Sequence, residues 1–267
     1  MQIHTRRFGS PGRELVGILQ TPTPGAPGRV AFLMGRPFGQ EAIRTAPIYR
    51  AMSDRLSREG CTVLTFDHHG CGDSPGDLDD QSLDAWISDT LAADAQLRSD
   101  APNVPVHWFG MGLGANIASL AAQRCEPAPN CLVLWEPVLN GRAYLQRLMT
   151  VHREEMAREM GRNWTDLVRY GSEAEPELPG SVLGFVVGRR LHEQVAQIAE
   201  VQLAKVTSRV SNTVLVVPAA ELARFKETNN VGLKIHAVET PTNWMSTEAF
   251  GTAIVPQEVP RTLLATL

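Results

Sequence analysis

Short apolar runs alternate with longer amphipathic stretches over most of the chain. Residues 1–8 and 13–20 read as an opening hairpin. The run Arg29–Met34 predicts a first buried strand, followed by a helix over about 43–59. Cys61–Phe66 predicts a second strand, which ends in the turn Asp67–Asp77. A helix around Leu83–Leu97 leads to the strand Val104–Phe109, and a glycine-dense corner then opens the helix Leu113–Arg124. Cys131–Trp135 is the next strand. This alternation is the pattern of a mostly parallel sheet with helices on both faces. It stops at residues 141–205, where two helical patterns flank the Gly- and Pro-bearing stretch 171–188. It resumes with the strand Thr213–Val217, a helix near 219–227 and the strand Leu233–Val238. The expectation is an α/β core made of residues 1–140 and 206–267, with 141–205 inserted as a helical cap or lid.

Composition narrows the function classes. Of the 267 residues, 43% are hydrophobic and 20% charged, which is globular rather than disordered. The formal net charge of −4 argues against nucleic acid as a partner, because phosphate neutralisation needs a basic surface. No apolar run approaches the length of a bilayer span, so no membrane partner is expected. The first fifteen residues lack the apolar core of a signal peptide, and a cytoplasmic location is expected. Cys61, Cys71, Cys125 and Cys131 form no metal-ligand spacing, so reduced structural thiols are expected. Nothing in the sequence calls for a cofactor.

The chemistry centres on Trp108–Asn116, where Gly110, Gly112 and Gly114 alternate. A dinucleotide fingerprint would read G-x-G-x-x-G in the first βα unit. This segment reads G-x-G-x-G and follows earlier strands, so the nucleotide reading is poor. A buried strand turning sharply into a helix matches better. The order of elements resembles the α/β-hydrolase fold, in which this corner is G-x-S-x-G and presents the serine nucleophile. Gly110 and Gly114 take the two glycine places, and Gly112 stands where the serine would be. The turn Phe66–Ser74 resembles the D-x-R-G-x-G-x-S turn of serine-aminopeptidase-like members. Arg36–Phe38, Gly70–Asp77, Leu132–Val138 and Pro241–Trp244 are similar to exosortase-system-associated hydrolases.

The resemblance also says where the other catalytic groups belong. The histidine would follow the last strand, near Pro241–Met245, and no histidine occurs after His236. Glu221 is near the place of the triad acid, and Glu136, at the end of a strand, is an alternative carboxylate. The oxyanion hole would use the N–H of Leu113 and that of Phe38, with Arg36 as the alternative donor. Two such donors without a serine suit a cofactor-free reaction that forms an enolate by α-proton exchange. The expectation is therefore a non-hydrolytic enzyme, an epimerase or isomerase acting on a peptide or peptide-like natural-product intermediate. In its chemistry this is similar to the α/β-hydrolase-fold peptide epimerases of bottromycin biosynthesis. The rival readings are an accessory protein binding a ligand or a pathway-enzyme partner, and a hydrolase with a relocated nucleophile such as Ser74 or Cys71.

The catalytic set expected from sequence is thus Phe38, Gly112, Leu113 and Glu136. Arg36, Phe109, Met111, Met149, His152 and Trp244 are expected to line the substrate pocket. Met149 and His152 belong to a stripe with Leu145, Met156 and Met160 on the first lid helix. Adjacent His68 and His69 lack a third ligand at recognisable spacing and are expected to be turn residues, with no metal. Trp86 and Trp135 are expected in the core.

Overall fold

A computed structural model describes residues 1–23, 28–77, 81–166, 180–199, 205–227, 233–239, 244–245 and 256–267. The strands in chain order are β1 (Gln2–Ser10), β2 (Arg13–Thr21), β3 (Ala31–Gly35), β4 (Thr62–Asp67), β5 (Val106–Met111) and β6 (Cys131–Trp135). After them come β7 (Ser181–Val182), β8 (Phe185–Val186), β9 (Thr213–Pro218) and β10 (Leu233–Val238). The helices are α1 (Gln40–Arg58), α2 (Leu83–Asp100), α3 (Leu113–Ala122), α4 (Gly141–Met160), α5 (Arg189–Ala196), α6 (Leu222–Glu227) and α7 (Glu258–Leu264).

Eight strands form one sheet in the order β1-β2-β4-β3-β5-β6-β9-β10, and β7 pairs only with β8. The β1–β2 and β2–β4 pairs are antiparallel, and every pair from β4 to β10 is parallel. The central strands β5 and β6 are buried along their whole length, as expected for parallel strands covered on both faces. The edge strand β10 alternates between partly exposed and exposed positions until its buried last residue. Each face of the sheet has its own core. Val106 and Trp108 of β5 pack with α2 and α3, whereas Phe109 and Met111 pack with Tyr49 and Met52 of α1. Successive residues of a strand point to opposite faces, which decides that division.

The mostly parallel sheet and its flanking helices agree with the sequence expectation. Some boundaries differ. α1 begins at Gln40 rather than 43 and carries Pro47 inside it. α7 was not anticipated; Pro260 lies in its first turn, where a missing N–H removes no helical bond. Between β6 and β9 the chain runs through α4, the β7–β8 hairpin and α5. Asn140 caps α4 by accepting from the Ala143 N–H at 3.0 Å, and Gly161 ends it at φ 59°. Leu145 and Met149 of the anticipated stripe are buried, but Met160 is 61% exposed. Among the described residues no helix is long and apolar enough to cross a membrane. All four cysteines are free thiols.

His107 offers a test of the core. It is buried edge-on to Phe32 at 5.3 Å, with Nδ1 3.2 Å from the Thr266 hydroxyl. Burial pushes its pKa down to about 4, whereas an unfolded histidine titrates near 6.5. Between those values the unfolded chain binds more protons, so this contribution is complete above about pH 6.5 and is lost as the pH falls towards 4. His107→Phe keeps the ring and removes the titration. Urea unfolding is expected to show the parent losing about 2 kcal/mol more than the variant between pH 7 and pH 5.

Candidate active site

The corner between β5 and α3 is held in shape by its three glycines. Gly112 lies at φ 55° and ψ −129°, donates its N–H to the Trp135 carbonyl at 2.9 Å and accepts from Ala115 N–H at 3.1 Å. An L side chain is strained at that φ. A Cβ on Gly110 would lie 2.6 Å from the Gly114 carbonyl oxygen, and one on Gly114 would lie 2.2 Å from the Arg36 carbonyl oxygen. Gly110 and Gly114 therefore let α3 close onto the loop after β3. The Leu113 N–H belongs to the first turn of α3, where no helical carbonyl can accept it, and the helix dipole there favours negative charge.

A cavity of about 590 Å³ opens at this corner, and Glu41, Gly112, Glu136, Tyr144, Arg147 and Glu221 are among its lining residues. A Cβ built on Gly112 would come 3.2 Å from Oε2 of Glu41. The Glu41 carboxyl thus stands beside the place where an elbow side chain would project. Burial, reinforced by Glu136 and opposed by Arg147, Arg44 and Tyr144, raises the Glu41 pKa to about 7. Tyr144 faces it, yet neither the phenol nor Glu41 Oε2 makes a hydrogen bond of standard geometry. Glu136 follows β6 at φ 46°, a costly conformation for a residue with a side chain. Its N–H donates to the Val216 carbonyl at 2.8 Å, and its Oε1 accepts from Trp135 Nε1 at 3.0 Å. Burial and nearby Glu221 raise its pKa to about 7 against the Trp135 hydrogen bond and Arg147. Two carboxyls poised near neutrality around one cavity can serve as a proton acceptor and a proton donor. Among the described residues no group of three or more His, Cys, Asp or Glu side chains could hold a metal ion.

The residues expected from sequence separate into three sets. Gly112 and Glu136 line the elbow cavity, and Leu113 is buried at the start of α3 beside it. Arg36 and Phe38 line a second cavity; Arg36 is paired with Asp67 at 3.2 Å and does not stand free for a substrate carboxylate. The others belong elsewhere. Phe109 and Met111 are core residues on the α1 face, because the strand's alternation points them away from the cavity. Met149 is buried in the opposite core. His152 accepts from the Leu183 N–H at 3.2 Å and packs against Trp164, so it fastens the β7–β8 hairpin. Trp244 is buried 5.8 Å from Trp135, and its neighbour Met245 lines the elbow cavity in its stead. Residues 241–243, where a histidine was sought, lie outside the described residues.

The alternative nucleophiles have other work. Ser74 donates to the Asp67 carbonyl at 2.6 Å and accepts from Val16 N–H at 2.8 Å. Burial pushes the Cys71 thiol up to about 12. His68 lies 3.3 Å from Asp89, which also takes two bonds from Arg13, so the paired histidines are turn residues. Glu41, Tyr144 and Arg147 were not singled out in the sequence. A helix started at residue 43 leaves Glu41 in a loop, and starting it at Gly39 would have aimed that acid at the elbow.

Comparison with known proteins agrees with this fold. The serine aminopeptidase, S33 family matches residues 42–224. A protein named monoglyceride lipase homolog, from Monkeypox virus, is 30% identical over 98 residues, covering 36% of this chain and 35% of the viral protein. The carboxyl esterase from Bacillus coagulans superposes with a TM-score of 0.65 at 14% identity, covering 100% of this chain and 98% of the other. Est1E from Butyrivibrio proteoclasticus, with ferulic acid bound, gives 0.63 at 14% identity over 97% and 98%. Proline iminopeptidase from Mycobacterium smegmatis gives 0.61 at 13% identity over 98% and 97%. These solved structures establish the α/β-hydrolase fold. The family match overturns the expectation of a non-hydrolytic epimerase and displaces the accessory-protein reading, because absence of a serine at the elbow had been equated with absence of hydrolytic chemistry. The chain belongs to the serine aminopeptidase, S33 family of hydrolases.

Proposed function

We propose that this protein hydrolyses carboxylic esters with a water molecule activated by the Glu41–Glu136 carboxyl pair. The observation that carries the reading is Glu41 Oε2, 3.2 Å from where a Cβ on Gly112 would sit. The carboxylate there takes a proton from water as the water oxygen attacks the substrate carbonyl. The Leu113 N–H and the N-terminal dipole of α3 hold the resulting oxyanion. The protonated partner carboxyl gives its proton to the departing alkoxide, and acid and alcohol leave. With both groups near 7, a singly protonated pair is well populated at neutral pH. Arg147 faces both carboxyls and tolerates the one negative charge. An ester suits this site because an alkoxide is a far better leaving group than an amide nitrogen and needs less help from the acid. The viral relative's name and that of the Bacillus coagulans carboxyl esterase support the same class. The resemblance to exosortase-system-associated hydrolases stays within this reading.

Hydrolysis of 4-nitrophenyl butyrate and of a short monoacylglycerol tests it. Glu41→Gln and Glu136→Gln are each expected to lower kcat by about 100-fold or more. The parent should show a bell-shaped pH–rate profile with macroscopic values either side of 7, since the base must be ionised and the acid protonated. No acyl-enzyme burst is expected. Parent-like turnover in both variants would overturn the mechanism. Gly112→Ser is expected to lower kcat as well, because its hydroxymethyl crowds Glu41 and takes the space of the water. The same variant should lose about 1–2 kcal/mol in urea unfolding, from strain at φ 55°.

A further inference from the structure

A second cavity of about 590 Å³ lies across the Arg36–Gly39 segment and shares no lining residue with the elbow cavity. The first turns of α1 wall both: Glu41 faces the elbow, whereas Ala42, Ile43 and Ala46 face the second cavity. Its other walls are rich in rings. Phe38 packs on Trp86 at 5.6 Å and on Phe185 at 6.0 Å, and His68 lies 5.5 Å from Trp86 and 5.0 Å from Phe66. Such a volume admits a small molecule.

Two donors on wall residues have no acceptor. Trp86 is 2% exposed, and its indole Nε1 is buried without a hydrogen-bond partner. Arg36 Nε is buried and unpartnered as well, although Nη1 donates to Asp67 Oδ1 at 3.2 Å. A buried donor left unpaired loses its hydration for nothing, so both point to a ligand that brings an acceptor. Asp67 neutralises Arg36, which disfavours a ligand with a net charge: an anion would meet the carboxylate and a cation the guanidinium. The hairpin over the cavity is held firmly. Leu183, at φ 54°, donates its N–H to His152 Nδ1 and accepts from Gln40 Nε2, each at 3.2 Å. Bonds from α1 and α4 thus keep a leucine in the left-handed region and set Phe185 over Gly39.

We propose that this cavity binds an uncharged aromatic molecule bearing a carbonyl oxygen, with its ring among Phe38, Trp86 and Phe185 and its oxygen at the unpartnered donors of the wall. The proposal goes beyond the hydrolytic reading and does not rest on it, because the two cavities have separate linings. Calorimetric titration of the full chain with 2-acetylnaphthalene is expected to show saturable one-site binding. Ala46→Phe, which fills the cavity, should weaken it at least 20-fold, and Ala42→Leu should do the same if the first variant does not fold. Both should leave 4-nitrophenyl butyrate turnover unchanged, which separates this site from the elbow. Trp86→Phe keeps a ring and loses the donor, so it should weaken 2-acetylnaphthalene about tenfold and leave 2-ethylnaphthalene unaffected. Absence of saturable binding, or parent-like binding in a folded Ala46→Phe variant, would overturn the proposal. So would equal or tighter binding of 2-naphthoate or of 2-decanone.

Discussion

The Arg36 carbonyl lies directly against the first turn of α3, and the site depends on that approach. Only a glycine at 114 permits it, since a Cβ there would stand 2.2 Å from the oxygen. The contact extends the pairing of β3 with β5, in which Gly35 sits opposite Gly110. With the loop fixed at that distance, Pro37 lies beside Gly112 and α1 begins two residues after Phe38. The start of α1 in turn aims Glu41 across the elbow. Backbone packing between a strand and a helix thereby decides where a carboxyl will be.

The environment of that carboxyl is a balance. Burial alone would keep Glu41 and Glu136 neutral, whereas Arg147 acts on both in the opposite direction. Each is also pulled back by neighbours of its own, Arg44 and Tyr144 for Glu41 and the Trp135 indole for Glu136. Neither group is driven to an extreme, which suits proton transfer near neutral pH. A serine–histidine couple needs a nucleophile at the elbow and a base beyond the last strand. Two carboxyls on α1 and after β6 need neither. On the proposed mechanism, a hydrolase family and a glycine elbow are compatible.

Backbone constraints were legible in the sequence, and side-chain directions were not. Gly110, Gly112 and Gly114 could be placed because a sharp strand–helix corner allows few residue types. The buried runs of β3 to β6 and β9 announced a parallel sheet on similar grounds. Phe109 and Met111 were misassigned because proximity to the corner was taken for access to it, although strand alternation sends them into the α1 core. Trp244 was misassigned by one residue, which is enough to turn a side chain away. Glu41 was missed because a three-residue error in the start of α1 changes which face each residue presents. Tyr144 and Arg147 lie on a helix read as an apolar stripe, and their partners are distant in sequence. The Leu183 turn has no glycine or asparagine at its first left-handed position to advertise it.

The opening turn of α1 is a party wall. Glu41 belongs to one chamber and its neighbour Ala42 to the other, so consecutive side chains of a single turn answer to different spaces. A substitution that keeps the backbone of this turn in place can therefore reshape one chamber and spare the other.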